Sequence, residues 1–197
     1  MRDVESLGPR TLTGRFIVLE PHAPAHRAGL IEAAADPEIW RYIPIDMSKG
    51  FAGRLELIER ENANGQMISF TVRRRSDNAV VGSTSYVALA PEHARVEIGM
   101  TWYRGDAQGG PVNPEAKYLL LGNAFAAGYN RVEFKTDSKN ARSRAALKKL
   151  GAKEEGTLRG HMWMPRGYFR DSVYFSILAS EWPEVKASLE KRLAAFA

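Results

Sequence analysis

The chain has 197 residues, 44% hydrophobic and 26% charged, ordinary values for a water-soluble globular protein that can bury its own core. It contains no cysteine, which excludes disulfides, thiolate metal sites and a cysteine nucleophile. The formal net charge of +5 favours acidic or phosphate-bearing partners. Lys and Arg are nevertheless scattered, with small concentrations only at 73–75 and 139–149, so nucleic acid is not the expected main ligand.

The first residues carry no apolar targeting core, and no apolar run is long enough to span a bilayer. A cytoplasmic protein without a membrane segment is the expectation. Residues 1–13 are polar and read as a loose lead-in. Residues 15–20 (RFIVLE) form a short strand closed by Pro21. A helix is expected over 25–35, with Asp36-Pro37-Glu38 as a stop and restart. Residues 39–47 (IWRYIPIDM) are rich in aromatics and either line a ligand opening or pack on the core. Helical spacing of Phe51, Leu55, Leu57 and Ile58 marks 50–64, ended by Asn64-Gly65. Residues 67–74 and 79–88 read as a hairpin joined through the polar turn 75–78.

The stretch 97–117, EIGMTWYRGDAQGGPVNPEAK, organises the rest. Val96, Ile98, Met100 and Trp102 alternate with Glu97, Gly99, Thr101 and Tyr103, a strand pattern. A turn with Gly109 and Gly110 then empties into a helix, for which Asn113 suits the N-cap and Pro114 the first helical position. Glu115 sits in the first turn, where a carboxylate complements the helix dipole. Such a loop either presents backbone N–H groups to a phosphate or pyrophosphate, or is an ordinary connection. The helix it opens carries Tyr118, Leu119, Leu120, Leu121 and Phe125 and is capped by Gly128. A strand at 130–136, a helix at 140–150 stopped by Gly151, strands near 153–164 and 171–178 split by Pro165-Arg166-Gly167, and an amphipathic helix at 184–196 complete the chain.

The order is β-α-α-β-β-β-α-β-α-β-β-α, without repeats or linkers. One domain over 1–197 is expected, with a core over 13–180 and a mixed α/β sheet carrying helices on both faces.

Over residues 13–180 this order resembles the GNAT superfamily of acetyl-CoA-dependent N-acyltransferases, and within it the branch that acetylates N-terminal alanine or serine of ribosomal proteins. The resemblance is carried by EIGMTWY running into QGGPVNPEAKYLLL, by NRVEFKTDSKNARSRAALKKLGA, and by EEGTLRGHM followed by FRDSVYFSIL. It implies a splayed, mostly antiparallel mixed sheet of about seven strands, with acetyl-CoA entering a V between two central strands. By resemblance, the backbone of Met100, Thr101, Trp102 and Tyr103 would meet the pantetheine arm. Gln108, Gly109, Gly110, Val112 and Asn113 would surround the pyrophosphate. Pro111 departs from the family's loop, since it removes one N–H donor. Asn140 and Ser143 match family positions beside the cofactor arm. The tyrosine that many relatives place seven residues after this asparagine, as acid for the thiolate, is Leu147 here, and Ser143 is the substitute candidate. Read from residues alone, Asn140 and Ser143 cap a helix.

Transfer to an amine needs a neutral nucleophile, donors for the oxyanion and sinks for protons. Glu97 is the candidate general base through a water; its alternative is a structural carboxylate paired with Arg95 or a neighbour. His161 and Asp171 are weaker candidates, the latter readable as an ion-pair partner of Arg170. Lys117, Lys139, Arg142 and Arg144 read as solvated charges or phosphate contacts. The histidines show no metal-ligand spacing. The expected activity is direct transfer from acetyl-CoA to a primary amine, foremost an N-terminal α-amine of a protein or peptide. A small amine acceptor and a non-catalytic acyl-CoA-binding module are the alternatives, and a homodimer follows from the resemblance.

Overall fold

The computed structural model describes residues 4–45 and 50–196. Its elements in chain order are β1 (Leu12–Thr13), β2 (Ile17–Pro21), α1 (Arg27–Ala33), α2 (Gly50–Ala63), β3 (Met67–Arg74), β4 (Val80–Ala90) and β5 (Arg95–Tyr103). There follow α3 (Val112–Ala126), β6 (Arg131–Asp137), α4 (Ala141–Leu150), β7 (Lys153–Met164), β8 (Tyr168–Leu178) and α5 (Trp182–Ala194). The succession matches the sequence pattern, with one addition. The 8-stranded sheet, ordered β1-β2-β3-β4-β5-β6-β8-β7, gains β1 from a stretch that polarity marks as a loose lead-in. That lead-in is anchored: Leu7 is buried, Glu5 donates its amide to the Ala127 carbonyl at 2.9 Å, and β1 pairs with β2.

Helices cover both faces. One core joins Val96, Ile98, Val132 and Phe134 of the central strands to Ala116, Leu120, Leu147 and Leu189 of α3, α4 and α5. A second core, on the other face, gathers Leu30, Trp40, Phe51, Leu55 and Trp102 around α1 and α2. Trp40 belongs to it, 5.1 Å from the Phe51 ring and 5.2 Å from the Trp102 ring, so the described part of the aromatic segment packs. The end of that segment lies outside the described residues.

Two local facts shape the centre of the sheet. Neighbouring strands are antiparallel except β5 and β6, which run parallel and pair only at Arg95↔Arg131, Val96↔Val132 and Glu97↔Glu133. Beyond Glu97 they diverge, and β6 continues with β8 alone. Within β5 the pairing to β4 jumps from Ser85↔Gly99 to Ser83↔Trp102, leaving Met100 and Thr101 opposite Thr84. This is a β-bulge, with Met100 at φ 50°. The extra residue inverts the side-chain alternation, which corrects the expected face: Val96 and Ile98 lie in the first core, but Trp102 lies in the second.

Candidate active site

The divergence of β5 from β6 opens a V whose near wall is the unpaired edge of β5 from Ile98 to Tyr103. At the open end of β5 the chain turns through residues 104–111 into α3. The helix begins one residue before the expected cap: Pro111 is the N-cap residue, without a side-chain hydrogen bond, and Asn113 and Pro114 lie inside the first turn. Pro111 suits this place because the first turn of a helix has no use for its missing N–H. The amides of Gly109, Gly110, Val112 and Asn113 donate to no protein group among the described residues. A Cβ built on Gly109 or Gly110 meets nothing within 4 Å. The loop is thus an open set of backbone donors at a positive helix end, and it fits a diphosphate.

Gln108 is held on both sides. Its side-chain Nε2 donates to the Tyr103 carbonyl at 2.7 Å, and its side-chain oxygen accepts from Arg142 of α4. Arg142, an exposed residue, thus reaches the loop from α4 while remaining in contact with solvent. On α4, Asn140 caps the helix by accepting from the Ser143 amide at 3.0 Å, and Gly151 at φ 96° ends it. Leu147 is buried and offers no proton. Arg144 reaches Glu154 at 3.7 Å, and the Lys139 ammonium lies 4.1 Å from the Tyr168 ring centroid.

Glu97 is 4% exposed and lies on the face opposite α3. Its partner is Lys135 of β6 at 2.9 Å; Arg95 pairs instead with Glu133. The same face carries Arg131, bonded to Glu133 and Glu155, and Arg170 of β8. Arg170 is buried, donating to the Ser172 hydroxyl and the Tyr42 carbonyl. Burial lowers its pKa, while Asp137 and Glu97 pull it back up. Asp171 is no ion-pair partner for it: Asp171 accepts the Gly160 amide at 2.7 Å. Asp137 accepts from the Tyr168 hydroxyl at 2.6 Å, and that phenol is pushed up to about 12 by burial first and then by the carboxylate. His161 meets the Ser172 hydroxyl at 2.9 Å, a contact that orients a ring on a strand. Trp163 and Phe169 form an exposed pair with centroids 5.0 Å apart.

Three buried groups escaped the sequence pattern. Glu115 accepts the amides of Arg15, Phe16 and Ile17 at 2.7 Å each, tying β2 to α3. Lys117 is buried on the apolar face of α3, not solvated, and Arg170 is buried on a strand. A charge among apolar helical neighbours was the available signal for Glu115 and Lys117; Arg170, followed by Asp171 and sharing its strand face with Tyr168 and Ser172, carried none.

The acetyltransferase (GNAT) domain model matches residues 17–153. The chain belongs to the GNAT acetyltransferase family. The uncharacterized N-acetyltransferase p20 of Bacillus licheniformis is 27% identical over 158 residues, covering 75% of this chain and 84% of that protein. A GCN5-related N-acetyltransferase from Brucella melitensis superposes with a TM-score of 0.87 at 26% identity, covering 94% and 86% of the two chains. Mycobacterium smegmatis RimJ, solved with CoA-disulfide, gives 0.82 at 22% identity over 95% and 97%; at that identity the likeness is one of fold. This GNAT protein is an acetyl-CoA-dependent N-acyltransferase, and the open V, the free loop amides and the uncrowded glycines are consistent with its donor.

Proposed function

We propose that the protein acetylates an N-terminal α-amine of a protein or peptide by direct transfer in a ternary complex. The observation that carries this reading is the V between β5 and β6, which has donor amides at its mouth and a buried carboxylate, Glu97, on its far face. Acetyl-CoA supplies the activated acetyl thioester. The amides of Gly109, Gly110, Val112 and Asn113 would hold its diphosphate, with Gln108 braced by Arg142. The edge of Met100, Thr101, Trp102 and Tyr103 would take the pantetheine arm, and Asn140 and Ser143 would face it from α4. Ser143 is the candidate proton donor to the leaving thiolate.

Glu97 would accept the amine proton through a water, with the Lys135 ammonium 2.9 Å away orienting the carboxylate. The acceptor side favours a monoamine of modest basicity over a polycation. Cations (Lys135, Arg131, Arg95, Arg170) stand among the carboxylates Glu97, Glu133 and Asp137 on that face, so it is not an acidic trough. An α-amine, with a pKa near ~7.7–8.0 against ~10.4 for lysine, needs only a mild base. The sequence likeness to the ribosomal-protein branch points the same way.

The test is calorimetric titration with acetyl-CoA, coenzyme A and a dephosphorylated analogue, followed by thiol release with peptides bearing N-terminal Ala or Ser, polyamines and free amino acids. Peptide-dependent turnover is expected. Turnover with polyamines alone would overturn the acceptor assignment.

A further inference from the structure

Lys117 is 7% exposed and bridges the two strands where they separate. Its ammonium donates to the Thr101 hydroxyl on β5 at 3.2 Å and lies 5.3 Å from the Phe134 ring centroid on β6. An ammonium has three donors and no acceptor, and one oxygen partner among the described residues leaves it poorly satisfied. The charged groups on the flanking strands lie on the other face of the sheet: Glu97 pairs with Lys135, Arg95 and Arg131 with Glu133, and Asp137 accepts from Tyr168. Glu97 raises the Lys117 pKa, but burial dominates and brings it down to about 7. A leucine here would continue the apolar face of α3 with no charge to desolvate, and a buried charge is expensive.

What this lysine touches is the bulge. Thr101 is one of the two residues opposed to Thr84, and their hydroxyls lie 2.8 Å apart. The Thr101 hydroxyl also faces the Gly99 carbonyl at 3.4 Å. A hydroxyl has one hydrogen and two lone pairs. While Lys117 fills a lone pair of Thr101, that hydrogen is directed to the Thr84 hydroxyl on β4 or to the Gly99 carbonyl, the residue before Met100. Met100 holds φ 50°, a conformation that persists in a non-glycine residue only when its surroundings over-determine it.

We propose that Lys117 is a positioning residue for acetyl transfer: through Thr101 it fixes the β5 bulge and so the backbone groups of Met100–Tyr103 that border the V. The proposal rests on acetyl-CoA lying along that edge.

The experiment uses the full chain and the variants Lys117→Met, Thr101→Val, Thr101→Ser and Lys117→Met/Thr101→Val. Amide exchange over 98–103 is read without any ligand, coenzyme A affinity by calorimetry, and kcat and KM with acetyl-CoA and an N-terminal Ala or Ser peptide. Lys117→Met and Thr101→Val are expected to speed exchange at the bulge and to lower kcat on the order of 10- to 100-fold, the scale of a small misplacement. Coenzyme A affinity should weaken in the same variants, because the edge they loosen is the one that takes the pantetheine arm; the double variant should be no worse than either single one, and Thr101→Ser should restore all three readouts. Unchanged exchange in Lys117→Met, or losses that multiply in the double variant, would overturn the proposal. If Lys117→Met does not fold, Thr101→Val against Thr101→Ser decides it: equal exchange in the two sinks the hydroxyl's role. Failure of the wild type to bind coenzyme A would sink the donor placement instead, leaving the exchange comparison standing.

Discussion

At the residue scale, two buried ionic groups near the centre of the sheet, Glu97 of β5 and Lys117 of α3, lie on different faces and call for different tests. Glu97 and Lys135 meet on the face proposed for the acceptor, and Lys117 lies beneath the bulge on the α3 side. Replacing Glu97 with Gln keeps the shape and an acceptor for Lys135 but removes the basic oxygen. Turnover should fall on the order of 100-fold, a typical share for general base catalysis, with acetyl-CoA affinity near normal. Initial rates across pH check this, and a variant with wild-type rates would remove Glu97 from the chemistry. The sequence marked Glu97 through its place on the strand before the glycine loop. It did not mark Lys135 as its partner, because parallel pairing of β5 with β6 joins residues 38 positions apart. Arg95, the near neighbour in sequence, turns to Glu133.

At the element scale, α3 is joined to the rest of the molecule by two features at its first turn. Glu115 satisfies three amides at the start of β2, and a Cβ on Gly14 would come within 2.3 Å of its carboxyl carbon. Glu115→Ala strands those donors around a vacated site and should cost about 2–4 kcal/mol, the scale for lost charged hydrogen bonds and buried unpaired donors. Urea unfolding measures it, and a loss too small to resolve would show that water replaces the carboxylate. The second feature is the loop. Gly110 has neither a positive φ nor a neighbour to collide with, so Gly110→Val leaves the fold intact and obstructs only a ligand. Acetyl-CoA binding should weaken at least about tenfold with unchanged thermal stability, since close backbone approach is what a side chain blocks there. Helix and strand order were legible because periodicity is local. The start of α3 was misplaced because Asn113 has the chemistry of a cap while Pro111 takes its position. The bulge was invisible, because alternation through Trp102 stays apolar on both sides of the inserted residue: two cores receive it, one on each face.

At the scale of the whole molecule, the sheet's two faces carry separate cores, and the V is where neither core closes. The topology that opens it, one parallel pair among antiparallel ones, could be anticipated only through family resemblance; strand order is a property of long-range pairing that composition and spacing do not encode. The same topology makes Lys117 a cost to the entire fold. Its pKa is about 7 in the folded protein against an ordinary 10.5, so between these values the unfolded chain holds the extra proton and unfolding takes one up. Stability from this group therefore rises with pH across that window and is at its lowest below it, where both states are charged and the folded state bears the desolvation. Lys117→Met removes the titration. Its stability advantage over the wild type should be greatest at about pH 6 and shrink steadily towards about pH 10, every other group being shared. Urea unfolding of both proteins across that range checks it. A difference that does not change with pH would mean that water or a neighbouring oxygen solvates the ammonium, and that the lysine is carried at no cost. A difference that shrinks as stated would show stability given up in the fold for the sake of the site, the trade expected of a charge retained for function.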